Sequence, residues 1–482
     1  MIPLSLRQIA TVTGGRVHPE NAAEVLIEGT VVTDSREAGP GSLYVARRGE
    51  HADGHAFVGA AADNGAVAAL VDHLPEGAGV PCVVVSDTQE GFGQLAREVV
   101  GRCQESGGLE IIGITGSSGK TSTKDLMAQV LGRLGETVAP IASYNSEVGV
   151  PLTVCRLTPD TRYLVAEMGA SGVGHIAYLT TIAPPRIGVV LNVGSAHLGE
   201  FGSREAIAHT KAELVRPLPE DGVAVLNADD AVVAAMAAQT RARVLTVGRS
   251  ADADARATDV RLDERGRARF TMTLPSHEQP LPVALRLHGE HQVGNALAVA
   301  VVAAELGMAP ADIATALGEA DPVSRWRMEV HELPGGVTLV NDAYNANPES
   351  MAAALRSLAA MSGGGRTIAV LGEMRELGAE SVQEHLRIGE LAADLGIDVL
   401  VAVGPGAAPV GDGYAAATGG DPGRRQVHRP ADRHEARALL GDLLTAGDVA
   451  LLKSSRDSGL RLLGDEMVQG SQGAEAPQRG RV

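Results

Sequence analysis

Residues 115–121 read Thr-Gly-Ser-Ser-Gly-Lys-Thr, a glycine-rich turn that ends in a Lys-Thr pair. Such a turn can cradle phosphate. Glycines let backbone N–H groups close on phosphate oxygens, and a helix starting there adds partial positive charge. A lysine at this point reaches the β- and γ-phosphates, and the next hydroxyl ligates magnesium. Lys120 and Thr121 hold those positions, with Thr115, Gly116, Ser117, Ser118, Gly119 and Ser122 completing a candidate nucleotide cradle. The strict pattern asks for a further glycine where this chain has Ile114, so Gly116 and Gly119 must supply the turn.

Other groups able to join a magnesium–triphosphate centre stand close to strand ends. Glu167 closes the apolar run 163–167, and His197 follows the run 186–193. Lys211 lies two turns into a helix capped by Ser203, with Glu205 in its first turn. Singly, each has an ordinary structural use, and a charged lysine is no metal ligand at all. Three such residues around one nucleotide point instead to ligands that supplement Thr121.

The elements that must position these groups are legible in the apolar spacing. A short β-rich run at 109–114 precedes the cradle, and Leu126, Met127, Val130, Leu131 and Leu134 recur behind it at helix spacing. Strands alternate with helices through 109–323, with another strand at 222–227, which predicts a parallel sheet. Ligands sit off the carboxyl ends of strands in such sheets, where the cradle, Glu167 and His197 all fall. Upstream, strands are predicted at 30–33, 42–45, 67–71 and 82–85, then a linker at 104–108. Polar clusters holding Ser35, Arg36, Arg48, Asp53 and His55 follow these strands. From 324 onward, strands at 338–341, 367–371, 399–403 and 449–452 again end in polar loops. The tail from 469 is Gly/Gln/Ser-rich and is predicted to be disordered.

A chain of 482 residues exceeds one hydrophobic core, so three α/β domains are expected, at 1–108, 109–323 and 324–468. Apolar residues make up 44% but aromatics only 2%, which leaves the cores to Ala, Val, Leu and Ile. The net charge of −18 opposes a nucleic-acid groove or an anionic membrane surface as partner. Three cysteines without C-x-x-C spacing indicate neither zinc nor disulfides. Neither a run of 18 apolar residues nor a basic-then-apolar leader is present, so a cytoplasmic protein is expected.

The blocks 115–121, 145–153, 167–170, 192–197, 209–211 and 341–348, in this order, resemble the Mur ligase family of ATP-dependent amino-acid and peptide ligases of bacterial cell-wall synthesis. The resemblance covers nearly everything but the tail. It implies a small N-terminal domain for a UDP-sugar substrate, a central P-loop-type parallel-sheet ATPase domain and a C-terminal Rossmann-like α/β ligase domain. It also implies activation of a peptide carboxylate as an acyl phosphate, which an amine then attacks. The blocks 341–348 and 371–378 look like those of members that add D-alanyl-D-alanine to UDP-N-acetylmuramoyl-tripeptide, and the Asp-Asn-Pro-Arg block of the third-residue ligases is missing.

By the same resemblance, Lys120 and Thr121 hold ATP and a first Mg2+, Glu167 bridges towards it, and His197 ligates a second. Lys211 matches a lysine that carbon dioxide converts to a carbamate, which demands a partly desolvated amine of depressed pKa. Asn295 matches an adenine contact, and Arg327 and Asp342 match residues reaching phosphate and ribose. Asn145, Tyr344, Asn345, Asn347, Lys453 and Arg456 fall on the peptide and dipeptide side. Ser35, Arg36, Arg48, Asp53 and His55 would bind the uridine diphosphate. Nucleotide residues drawn from two domains imply closure about a hinge near 321–324. The implied partners are small molecules only, acting on a monomer. Competing readings are another ligase of the superfamily, including folate polyglutamylation, a P-loop motor or switch, and a non-catalytic nucleotide sensor.

Overall fold

The computed structural model describes residues 1–49, 52–194, 198–275, 277–419 and 425–473. Three α/β units follow one another along the chain, each with its own main sheet.

The first sheet runs in the order Arg16–His18, Cys82–Val84, Ala66–Val71, Ser42–Val45, Val31–Val32, parallel except for Arg16–His18. Its centre is an unbroken apolar run, Ala-Val-Ala-Ala-Leu-Val, as a parallel strand covered on both faces requires. Asp87 caps the helix Thr88–Glu105, its carboxylate accepting from the Glu90 N–H at 2.8 Å. That helix continues into the expected linker as far as Glu105, because Cys103 is still buried in its apolar stripe with Val99 and Val100.

The central sheet has nine strands. Glu110–Thr115 lies between Tyr163–Glu167 on one side and Ile187–Val190 on the other, all three parallel. Val223–Asn227, Arg243–Gly248 and Ala255–Leu262 continue the parallel order outward. Two further strands, Arg267–Leu274 and His277–His288, then add an antiparallel edge. The turn at Asp263–Gly266 explains the reversal: Gly266 sits at φ +72° and donates to the Asp263 carbonyl at 2.8 Å, a connection short enough only for antiparallel neighbours. The helix Lys120–Leu131 starts directly behind the cradle and packs Leu126, Met127, Val130 and Leu131 into the same core as the alanine- and valine-rich helix Gln292–Glu305.

The third sheet runs Glu329–Leu333, Val337–Asn341, Val449–Lys453, Thr367–Leu371, Val399–Ala402, Gln426–His428, with only the first strand antiparallel. The helix Leu460–Gly473 covers it and runs past the predicted start of a disordered tail. Leu460, Leu463, Met467 and Val468 pack on the sheet and carry the helix onward, whatever the polarity of the residues that follow. Residues 474–482 lie outside the described chain. All three cysteines are buried and unpaired. No helix among the described residues is long and apolar enough to cross a membrane.

Candidate active site

A cavity of about 990 Å³ opens where the three units meet. The cradle residues 116–122 form its floor, and the other two units supply the walls. The turn is tied to the neighbouring strand end: Asn192 Oδ1 accepts from the Ser118 N–H at 2.9 Å, and its Nδ2 donates to the Ser118 carbonyl at 3.1 Å. Ser117 Oγ accepts from the Gly194 N–H at 2.9 Å. Gly119 sits at φ +82°, and a Cβ there would stand 2.8 Å from Asn295 Oδ1, so only glycine fits between turn and helix. Lys120 Nζ donates to the Gly116 carbonyl at 2.6 Å. Burial pulls its pKa down, partly offset by the Glu167 charge.

Glu167, the last residue of its strand, is 1% exposed. Asn145 Nδ2 donates to one of its carboxylate oxygens at 2.7 Å, while the other is buried without a partner among the described residues. A buried, orphaned carboxylate oxygen is costly unless a cation or donor meets it. Thr121 is also buried at this floor. A hydroxyl beside an open carboxylate is an oxygen donor set of the kind magnesium takes. Lys211 lines the same cavity. Burial first, and the Lys120 charge second, push its pKa well below the usual lysine range. That is the uncharged-amine tendency expected of it. His197 lies outside the described residues.

The third unit contributes Arg327, Asp342, Tyr344, Asn345, Asn347 and Lys453 to the wall. Trp326 and Met328 hold left-handed backbone at φ +59° and +50°, and Arg327 between them lies over the Tyr344 ring at 4.5 Å. Asp342 lines the cavity with both carboxylate oxygens already engaged. One oxygen accepts from the Met328 N–H at 3.0 Å and the other from Lys453 Nζ at 2.6 Å. Asn347 likewise works inside the fold. Its Oδ1 accepts from the Ser350 N–H at 2.9 Å, capping the helix Pro348–Ala360, while Nδ2 reaches the Ser117 carbonyl at 3.4 Å. Tyr344 and Ser143 share a hydroxyl–hydroxyl bond of 2.5 Å that joins the third unit to the loop carrying Asn145. Arg456 stands behind Tyr344, 5.9 Å from its ring, and does not line the cavity. Thr115 is buried beneath the cradle, and Asn295 and Ser122 line it.

The predicted first-unit residues fall outside the cavity wall. Ser35, Arg36, Arg48, Asp53 and His55 all follow carboxyl ends of the parallel strands, but Asp87, Gln89 and Glu90 are the first-unit residues that line it. His55 is a correction to the expected uridine contacts. It is 4% exposed, its Nδ1 bonds Asp53 at 2.6 Å, and its Nε2 accepts from the Asp72 N–H at 3.1 Å, so its ring is consumed in holding two loops together. Arg36 is exposed and pairs with Asp34, and Arg48 pairs with Asp72 at 3.2 Å. Ser171 and His175, in the loop and helix start after Glu167, line the cavity without having been singled out. Their position past a strand's carboxyl end was the available signal.

Three family models match in chain order: "Mur ligase family, catalytic domain" at residues 29–99, "Mur ligase middle domain" at 114–303 and "Mur ligase, glutamate ligase domain" at 326–456. The chain belongs to the Mur ligase family. It is 47% identical to the UDP-N-acetylmuramoyl-tripeptide--D-alanyl-D-alanine ligase of Mycobacterium tuberculosis (strain ATCC 25618 / H37Rv), over 97% of this chain and 98% of that one. The protein of that name from Escherichia coli (strain K12) is 36% identical, over 84% and 86%. Among solved structures, MurF from Acinetobacter baumannii superposes with a TM-score of 0.86 at 31% identity, covering 97% of this chain and 99% of that one. MurF ligase from Thermotoga maritima, in complex with ADP, gives 0.78 at 28% identity, covering 93% and 99%. This Mur ligase is therefore similar along its whole length to three-domain relatives.

Proposed function

We propose that this Mur ligase joins D-alanyl-D-alanine to UDP-N-acetylmuramoyl-tripeptide at the expense of ATP, giving the UDP-linked pentapeptide, ADP and phosphate for peptidoglycan synthesis. The observation that carries this reading is the 47% identity to relatives of that name over 97% of the chain. One continuous cavity bounded by all three units is what a reaction of three substrates needs.

A free carboxylate is a poor electrophile because its leaving group would be oxide. In the first step a terminal carboxylate oxygen of the tripeptide attacks the γ-phosphorus of ATP and ADP leaves. In the second, the dipeptide's amine attacks the acyl carbon, loses a proton, and phosphate departs with the C–O bond electrons. Lys120 and the backbone N–H groups of 116–121 would hold the phosphates in line, and Arg327 would approach them from the third unit. Magnesium held by Thr121 and the open oxygen of Glu167 would neutralise charge on the transferring oxygens. Asn145 fixes the Glu167 carboxylate for that task. Lys211, whose burial favours the uncharged amine, would accept carbon dioxide at Nζ and so present oxygens where an ammonium would repel the metal. Lys453, Asn345 and Tyr344 line the cavity and would meet the dipeptide. The turns with Ser35, Arg36, Arg48 and Asp53 follow carboxyl ends of the first sheet, Arg47 beside them donates to Gln89 at 2.7 Å, and they would hold the uridine diphosphate. A reaction on ATP and a UDP-linked precursor would take place in the cytoplasm.

The test is phosphate release from ATP with UDP-N-acetylmuramoyl-tripeptide, comparing D-alanyl-D-alanine with single amino acids and with no acceptor. Release that requires the dipeptide is the expected result. Equal release without it would sink the reading.

A further inference from the structure

Two charged side chains on the helix behind the cradle take no part in the chemistry above, yet Lys124 is buried and the Asp125 side chain is only 12% exposed. Lys124 is 2% exposed. Its ammonium donates to the Asp125 carboxylate at 2.5 Å and to the Pro140 carbonyl at 3.0 Å. The other Asp125 oxygen accepts from the Ser324 hydroxyl at 2.5 Å. One turn later Gln129 donates to the Asp321 carbonyl at 2.9 Å and accepts from the Asp321 N–H at 3.0 Å.

These bonds join three parts of the site that are distant in sequence. Lys120 and Thr121 occupy the first turn of the helix Lys120–Leu131, and Lys124 and Asp125 the second. Pro140 opens the loop whose Ser143 and Asn145 touch Tyr344 and Glu167. Asp321 to Ser324 connect the central unit to the third, and Val323 among them is 62% exposed. That segment is held by the Gln129 and Asp125 bonds and, from the strand before it, by Arg286 donating to the Asp321 carboxylate at 2.8 Å. Two residues past Ser324 stands Trp326, the chain's single tryptophan, bonded through its indole N–H to Asp465 at 3.0 Å.

We propose that Lys124 and Asp125 are a positioning pair: they make the phosphate cradle, the 140–147 loop and the 321–324 connection move as one body, so that a nucleotide seated in the cradle fixes how the third unit closes. This rests on nucleotide binding as read above and extends it to the coupling between binding and closure. A buried pair that loses one partner leaves an uncompensated charge, so the arrangement has two states, intact or broken, and little between. The cradle end of the helix contacts phosphate and the next turn grips the hinge; displacement at one end reaches the other through a single rigid element.

The test uses the full chain with ADP as probe, read by Trp326 emission, by X-ray scattering and by calorimetry. In the native chain, ADP is expected to shift the emission and reduce the radius of gyration. Ser324→Ala removes only the hinge arm, on a partly exposed residue, and keeps the buried pair. It should bind ADP within about twofold of native yet lose most of the emission shift and compaction, and its KM for the dipeptide should rise by roughly tenfold, the worth of one charge-assisted hydrogen bond. Ser324→Thr, which keeps the hydroxyl, should restore all three readings. Asp125→Asn, which also strands the buried Lys124 ammonium, should lose the same emission shift and compaction and melt earlier than Ser324→Ala. A Ser324→Ala chain that compacts and shifts like native would overturn the proposal, as would a native chain that binds ADP without compaction. Neither result would touch the ligase reading, which stands or falls on phosphate release.

Discussion

Asp342→Ala is the substitution whose cost follows most directly from the packing. Lys453 Nζ lies 2.6 Å from the Asp342 carboxylate, and the two side chains are 4% and 14% exposed. Without the carboxylate, the ammonium keeps only the carbonyls of Asn345 at 3.1 Å and residue 342 at 3.4 Å. Removing one partner of a buried pair costs about 3–5 kcal/mol, because the remaining charge is left without compensation. For a domain of this size each kcal/mol shifts the midpoint by about 2–4 °C, so the third unit should melt on the order of 10 °C early. Trp326 lies beside Tyr344, their ring centroids 6.4 Å apart, and is the chain's single tryptophan, so its emission reports the third unit. Lys453→Met in the same chain should recover at least half of the loss, since the stranded charge is then gone. Catalysis should stay low in both, because the Met328 N–H loses its acceptor and the adjoining Arg327 its fixed position. A single variant that melts within about 1 kcal/mol of native, or a double variant no better than the single, would refute the burial argument.

Asn145→Ala removes the donor holding Glu167 at 2.7 Å; kcat should fall by roughly 10- to 100-fold, as for one hydrogen bond to a buried charge, with thermal stability little changed. Gly119→Ala adds a Cβ at 2.8 Å from Asn295 Oδ1 on backbone at φ +82°, so the KM for ATP should rise by about tenfold or more while the acceptor KM holds. Lys211→Ala should abolish turnover, with short carboxylic acids restoring part of it. In carbon-dioxide-free buffer, Lys211→Met should unfold at higher temperature than native near neutral pH. The lysine pKa is depressed in the folded chain, so the unfolded chain binds the extra proton below the ordinary lysine pKa. Native stability should therefore rise with pH from the depressed value towards 10.5, and the gap between the two proteins should close. A gap that widens with pH would contradict the burial of Nζ.

The chemistry-bearing loops and their order were written in the sequence, because each is local. Gly-Lys-Thr after an apolar run makes a cradle wherever a strand precedes it and a helix follows. The structure has both, at Glu110–Thr115 and Lys120–Leu131. Glu167 and Lys211 were legible for the same reason, and they do share one cavity. The antiparallel edge was not anticipated: 109–323 read as a wholly parallel sheet, and the reversal comes with the tight turn at 263–266. What a side chain does with its polar atoms was not legible. Asp342 was expected to face ribose and is held by Lys453, His55 was expected to face uridine and is held by Asp53 and Asp72, and Lys124 carries no motif at all. A hydrogen bond is decided by whichever group arrives from another element, and for these residues the partner comes from 111 positions away, or from just past a strand end 17 residues on, or from a loop 16 residues on. Local propensity carries no record of such meetings; only the packed sheets bring them about.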